Sequence, residues 1–391
     1  MSPRVNSTAI RRFNVARVFH ALREHPGCSQ RDLARYTGLD KATISAVVAQ
    51  LAEQGIVERG GVAANRRVGR PETALAIPPS AGMLVGARLE PGTIRIVAAT
   101  LGGRVIEHLH VAGTKDVAAA VGRLGEGIAT VCRSAGLRLR AVGVGVPALM
   151  DRTGRLVLAP NLGWRDTPIR PLIQEVVAAP VWIDNDTKAA AIAERLFGVC
   201  RTVDDFVYVT GDSGLGGGLF LGGKPYRGAS GFAGEIGHLM VVPDGRPCGC
   251  GKRGCLETYV SEAAILSDAL RAGRSPADLW EVAEAARAGD PALLAILERV
   301  GERLGTALAH VCNLINPEMV VLGGNLALVA DFIVPAVERA LTEHALDPVR
   351  RGMRIQVSPL GADVVQMGGV ALAMEGFLAA PDGISPAPPA P

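Results

Sequence analysis

The sequence predicts a winged helix-turn-helix followed by a larger α/β body, and three observations lead there. Residues 8–55 carry three short stretches of helical apolar spacing, separated by capping and turn residues. From about residue 82 strand-like segments alternate with amphipathic helices, in a chain of 391 residues that is too long for one ordinary domain. Charge divides the same way: residues 1–80 hold 12 Lys or Arg against 6 Asp or Glu, and the remainder 29 against 32. A basic head on a mildly acidic body suits binding to a polyanion.

Val15, Val18, Phe19 and Leu22 recur at helical spacing, so residues 8–25 read as an amphipathic helix that stops at His25-Pro26-Gly27. Ser29, with Asp32 three residues on, forms a capping-box pattern that opens a second helix running to Tyr36. Gly38 supplies the turn. Asp40 then caps a third helix whose apolar face is Ile44, Val47, Val48 and Leu51. Gly55 ends it, Ile56–Arg59 begins a strand, a basic loop follows, and a second short strand precedes Pro78-Pro79. The third helix leaves Lys41, Thr43, Ser45 and Ala46 off its apolar face, as a helix entering the major groove requires. Arg66, Arg67 and Arg70 of the wing suit phosphates or a narrow minor groove. A protein-binding three-helix module is the alternative; the capped third helix, the basic wing and the local charge together favour double-stranded DNA.

In the body, strands are predicted over 94–100, 141–147, 180–184, 206–210 and 318–323, and helices over 117–134, 187–197, 259–271 and 293–315. The Pro- and Ala-rich residues 380–391 read as a disordered tail. No apolar run reaches membrane-spanning length and no signal-peptide stretch opens the chain, so the expectation is a cytoplasmic protein with no membrane partner and reduced cysteines. Cys28, Cys132, Cys200 and Cys312 read as ordinary buried thiols. Cys248, Cys250 and Cys255 differ, because with His238 they form an H-x9-C-x-C-x4-C spacing. One imidazole and three thiolates complete a soft tetrahedral set, which suits a closed, structural Zn²⁺ site with no open position for catalysis. Gly249, Gly251 and Gly254 would permit the turns that bring the thiolates together. A redox cluster, the alternative, explains neither His238 nor these glycines.

The segment Gly231–Glu257 resembles the signature of the ROK family, which joins repressors and sugar kinases. Asn185-Asp186 followed by Ala189, Ala190, Ala191 and Glu194 is similar to the family's sugar-site motif. Ser213-Gly214-Leu215-Gly216-Gly217-Gly218 resembles its second phosphate loop, and Asn316-Pro317-Glu318 leading into Val321-Leu322-Gly323-Gly324 resembles its nucleotide-side segment. The resemblance covers nearly the whole chain. It implies an N-terminal winged helix-turn-helix followed by a two-lobed α/β actin-like (sugar-kinase-like) fold with the ligand between the lobes. The implied domains are the head over 1–80, a smaller lobe over 81–185 plus 366–379, and a larger, metal-bearing lobe over 186–365. It further implies sugar contacts from Asn161, Asn185, Asp186, Glu235, His238 and Glu257, with one His238 nitrogen on the metal and the other toward the sugar. Helix capping by Asp184, Asn185 or Asp186, and a surface role for Glu257, are the plainer alternatives.

A kinase of this family needs a base and a loop that holds phosphates. Asp186 stands where the base lies. The family's kinases place an Asp, paired glycines and a Thr after their first strand, whereas here Gly86–Thr93 puts Arg88 at the Asp position and Glu90-Pro91 at the glycines. An acid repels phosphate and proline removes a backbone donor. The expectation is a sugar-responsive transcriptional regulator, a repressor by resemblance, with no catalytic residue. Its partners would be a DNA operator and a sugar or sugar-phosphate effector, and it would act as a homodimer or homotetramer. An ATP-dependent sugar kinase with an added DNA-binding domain is the rival reading; a constitutive DNA-binding protein whose body only dimerises it is a second.

Overall fold

The computed structural model describes residues 7–62, 72–212, 214–361 and 364–380. The head is α1 (Ser7–Glu24), α2 (Gln30–Thr37), α3 (Lys41–Glu53) and an antiparallel wing of β1 (Glu58–Val62) and β2 (Thr73–Ala76). Its helix ends follow from local chemistry. The Ser29 hydroxyl accepts from the Asp32 amide at 3.2 Å while the Asp32 carboxylate accepts from the Ser29 amide at 3.2 Å, the two halves of a capping box. Gly38 closes α2 at φ 67°, and Asp40 caps α3 by accepting from the Thr43 amide at 2.9 Å. Ile44, Val47, Val48 and Leu51 are all buried, as are Val15, Val18, Phe19, Leu22 and Leu33, and α3 packs on α1 and α2. Burial of each such side chain stabilises the head by roughly 1.5–3 kcal/mol before entropy is counted. The wing tip with Arg66, Arg67 and Arg70 lies outside the described residues, as do Ser213 and the tail beyond Ala380.

The body continues with β3 (Met83–Leu89), β4 (Thr93–Thr100), β5 (Val105–Ala112), α4 (Val117–Ala135) and β6 (Leu139–Val146). A small sheet of β7 (Leu149–Met150), β8 (Leu156–Ala159) and β9 (Trp164–Thr167) precedes α5 (Ile169–Val176), β10 (Val181–Asn185) and α6 (Asp186–Leu196). Next come β11 (Phe206–Gly211), β12 (Leu215–Leu221), β13 (Lys224–Pro225), α7 (Glu257–Val260), α8 (Glu262–Arg271), α9 (Leu279–Arg287) and α10 (Pro291–Ile315). The chain closes with β14 (Met319–Gly323), α11 (Ala330–His344), α12 (Asp347–Gly352), β15 (Arg354–Val357) and α13 (Val364–Ala379).

Contacts divide the chain into two compact units, one drawn from Met1–Val144, Ile169–Ile183 and Val370–Pro391, the other from Gly145–Pro168 and Asp184–Gly369. The first carries the sheet ordered β10-β6-β3-β4-β5, the second the sheet ordered β13-β12-β11-β14-β15. In the first unit the head is tied to its neighbours by polar contacts: Arg140 donates to the Ala81 carbonyl at 2.7 Å and the Gln54 carbonyl at 3.3 Å, and His20 Nε2 lies 2.9 Å from Glu375 Oε1 on α13. In the second unit β11 and β14 run parallel in register, Phe206 beside Met319 through Thr210 beside Gly323, beneath the long α10. Gly301 and Gly305 let α10 and α11 close tightly, since a Cβ on Gly305 would stand 2.7 Å from both the Ala340 Cβ and the Val337 carbonyl.

Two features depart from the sequence expectation. The helix expected over 259–271 is interrupted at Ser261, whose backbone is extended and whose hydroxyl accepts from the Ala264 amide at 3.3 Å, so one pattern becomes α7 and α8. The glycine run after Ser213 is mostly strand β12, paired with β11 from Gly211–Leu215 to Phe206–Phe220. Its glycines are required by close packing: a Cβ on Gly217 would meet the Gly234 carbonyl at 2.7 Å, and one on Gly218 the Ala191 methyl at 2.5 Å. Cys28, Cys200 and Cys312 are buried thiols as expected, while Cys132 is half-buried.

Candidate functional site

On the head, Lys41 and Ser45 are exposed along α3, as a groove-facing surface requires. Thr43 has a second duty: its hydroxyl donates to Asp40 at 2.7 Å, so it belongs to the cap as well as to that surface. The cap hydrogen bonds hold the Asp40 carboxyl below the usual carboxylate range.

In the second unit the residues from His238 to Cys255 fold into a knuckle held by the Cys248 amide donating to the Lys252 carbonyl at 2.9 Å and the Gly251 amide donating to the Cys248 carbonyl at 3.0 Å. Gly251 and Gly254 take positive φ, 85° and 75°; Gly249 does not, so two of the three expected turn glycines serve the turn. One donor atom from each of His238, Cys248, Cys250 and Cys255 lies within 4.8 Å of the others. Cys250 Sγ and Cys255 Sγ are 3.7 Å apart, as are Cys248 Sγ and His238 Nδ1. Two sulfurs about 2.3 Å from one tetrahedral ion would stand about 3.8 Å apart, so the spacing fits a shared metal.

Beside the cluster lies a group of carboxylates. Glu257 accepts from the Leu215 amide at 3.1 Å and its other oxygen is 3.7 Å from Cys248 Sγ. Burial pushes the Glu235 carboxyl up; Lys188 and His238 draw it down, and the nearby charges of Asp186 and Glu257 raise it further. Glu235, Asp186, Glu257 and His238 therefore share one electrostatic neighbourhood. Asp186 is buried in the first turn of α6 and accepts from the Thr187 amide at 2.8 Å. Asn185 caps α6, accepting from the Lys188 amide at 3.0 Å and donating to the Ala148 carbonyl at 3.1 Å. Among the described residues these two bonds leave one lone pair and one N–H of its amide. Asn161 is exposed in the turn between β8 and β9 of the same unit.

Glu194, the last member of the resembling motif, sits elsewhere. It is fully buried near the far end of α6, accepting from the Ser358 hydroxyl and from the Val199 amide at 3.1 Å. The sequence reading passed over Lys188 and Arg227, both of which pair at the start of α6: Arg227 donates to Asp184, and Lys188 to the Gly231 carbonyl. The available signal was a lysine directly before a small and apolar helical run, Ala189–Ala193.

In the first unit, Arg88 is 5% exposed and lies 3.4 Å from Glu90, which also stands 3.5 Å from Arg95. Arg88 and Arg95 face each other across the β3–β4 ladder, where like charges are unfavourable unless an acid bridges them. Glu90 is that acid. Among the described residues no helix is long and apolar enough to cross a membrane.

A helix-turn-helix with an antiparallel wing, joined to a sugar-kinase fold with a His/Cys₃ cluster beside carboxylates, defines the class of protein. The chain belongs to the ROK family, which residues 92–375 match, while residues 12–68 match the MarR family. It is 28% identical to a xylose repressor of Caldicellulosiruptor bescii over 96% of this chain and 99% of that protein. Among solved structures, a ROK family transcriptional regulator described as a homolog of the E. coli MLC protein aligns with a TM-score of 0.81 and 28% identity, over 95% of this chain and 97% of that one. A ROK family glucokinase from Streptomyces griseus, in complex with glucose and AMPPNP, aligns with a TM-score of 0.68 and 30% identity over 75% of this chain and 100% of the kinase.

Proposed function

We propose that this chain is a sugar-responsive DNA-binding transcriptional repressor and not a sugar kinase. The xylose repressor of Caldicellulosiruptor bescii and the ROK regulator structure align over 95% or more of the chain, head included, whereas the glucokinase structure accounts for 75%. One observation carries the choice against kinase chemistry: Arg88 and Glu90 form an ion pair at the first phosphate turn, beside Pro91. A carboxylate pinned there opposes the β- and γ-phosphates that the turn of a kinase must hold.

In this reading Lys41, Thr43 and Ser45 of α3 meet the operator, with Arg66, Arg67 and Arg70 of the wing beside them. Asn161, Asn185, Asp186, Glu235, His238 and Glu257 bind hydroxyls of a sugar or sugar phosphate, and Asp186 accepts a hydrogen bond in place of a proton-transfer step. The metal is a structural Zn²⁺ on His238, Cys248, Cys250 and Cys255. Bound there, it would fix the imidazole's ring orientation and tautomer, leaving the second nitrogen to the sugar. The protein would act in the cytoplasm as a homo-oligomer matching a two-fold operator.

Gel-shift titrations across a panel of pentoses, hexoses and amino sugars, with and without phosphate, test this. At least one should change operator affinity by about 5- to 150-fold, the usual range of coupling between two sites. A coupled assay should detect no sugar-dependent ADP release; turnover that vanishes in Asp186→Ala would establish the kinase instead.

A further inference from the structure

Lys188 takes no part in the sugar contacts just assigned, yet it is 4% exposed. A buried ammonium is costly unless it is paired and hydrogen-bonded. Burial pulls the Lys188 pKa down, the neighbouring Asp184 and Glu235 pull it back up, and Arg227 adds to the fall. Its Nζ donates to the Gly231 carbonyl at 2.5 Å. Gly231 sits at φ 97° with its Cα against the 150–152 turn, where a Cβ would stand 2.6 Å from the Met150 carbonyl. Both features demand glycine at the position whose carbonyl accepts from Lys188.

The Gly231 segment is the one that delivers Glu235 and His238. Its other fastenings are local or strand-borne: the Ala233 amide donates to the Arg227 carbonyl at 3.1 Å, and the Gly217 amide of β12 to the Gly234 carbonyl at 2.9 Å. The Arg227 side chain reaches Asp184, just before α6. Through the Lys188 side chain α6 grips the segment.

We propose that Lys188 is a positioning residue of the sugar site: its ammonium fastens the segment carrying Glu235 and His238 to the helix start carrying Asn185 and Asp186, so that hydroxyl-binding groups from two separate stretches of chain meet as one site. The inference rests on the sugar-binding reading for its functional consequence and on the Gly231 contact for its geometry. Lys188 acts through Glu235, by holding the backbone that carries it and by standing opposite its charge. An arginine can keep both the charge and a donor; a methionine keeps only the volume.

The full-length, metal-loaded protein is compared as wild type, Lys188→Met, Lys188→Arg and Arg227→Gln. D-xylose, D-glucose and N-acetyl-D-glucosamine are titrated calorimetrically, and amide hydrogen exchange is followed without sugar. For whichever of the three binds the wild type, Lys188→Met should weaken binding by about tenfold or more, the scale of a lost charged hydrogen bond. Exchange should rise over residues 227–238 while β11 and α10 stay protected, Lys188→Arg should recover most of both effects, and Arg227→Gln should loosen the same segment less. Unchanged exchange over 227–238 in Lys188→Met would overturn the proposal, as would equal loss in Lys188→Met and Lys188→Arg with protection falling throughout the fold. If none of the three sugars binds the wild type, the sugar reading is what suffers, and the exchange result still decides whether Lys188 is the tether.

Discussion

The two ends of α6 carry carboxylates from a single motif, and their surroundings assign them opposite work. At the first turn, Asp186 shares a neighbourhood with Glu235, and Asn185 keeps spare hydrogen-bonding capacity after capping the helix. Near the last turn, Glu194 is sealed in, with Ser358 and Val199 supplying its donors and Gly198 leaving the room its carboxylate needs. An acid surrounded by other acids and an oriented histidine can offer hydrogen bonds to a guest. An acid that takes a core donor on each oxygen, as Glu194 does, holds the helix in place. Likeness to a family motif does not separate the two roles; the partners do.

Metal removal should give the largest contrast between the ends. Structural zinc contributes about 10–16 kcal/mol in small zinc domains, so a strong chelator should release the His238–Cys255 knuckle and abolish sugar binding. The Glu194 end has no ligand in that knuckle, and hydrogen exchange should find it still protected. Loss of protection at both ends together would erase the distinction. Next in size, Asp186→Ala should lower sugar affinity by about 1.5–3 kcal/mol, the range for hydrogen bonds to charged groups, with little change in melting temperature. Glu194→Ala should do the reverse, destabilising the protein by about 1–3 kcal/mol through stranded buried donors while leaving sugar affinity intact, as calorimetry and thermal melts would show.

Smaller is the pH effect. Burial raises the Glu194 pKa above its ordinary value of 4.5, so the folded protein keeps this proton to higher pH than the unfolded chain does. Glu194 therefore lowers stability as pH climbs from the ordinary value through the raised one, and Glu194→Gln should flatten that part of a denaturation-versus-pH curve. The smallest expected effect lies on the head. Lys41→Ala should weaken operator binding across all sequences and reduce the salt dependence by roughly one counterion, measured by gel shift at several salt concentrations.

Local chemistry made much of the head legible. Ser29 with Asp32, and Asp40 with its carboxylate accepting from the Thr43 amide, satisfy helix-end donors from within three residues, so their roles need no distant partner. The apolar face of α3 could likewise be read from spacing, and all four of its residues are buried. The His/Cys₃ spacing was legible because metal donors must converge within a few ångströms on a short stretch of chain. Other features resisted for a matching reason. The break at Ser261 looked like continuous helix, since a serine fits both a cap and a helix interior. For Gly216, Gly217 and Gly218 the sequence offered a likeness to a phosphate loop, but not that their small size also serves α6 and the Gly234 turn.

The three helices of the head, the caps at Ser29 and Asp40, the family membership and the His/Cys₃ cluster were legible in the sequence alone, because each depends on residues close together in the chain or on a pattern of types. Only the tertiary structure decided that Glu194 is a buried strut, that Glu90 bridges two facing arginines, and that Lys188 reaches Gly231. Those roles join residues that are distant in the chain or lie on different elements, and a carboxylate or an ammonium takes its meaning from the charges and donors brought beside it when water is excluded.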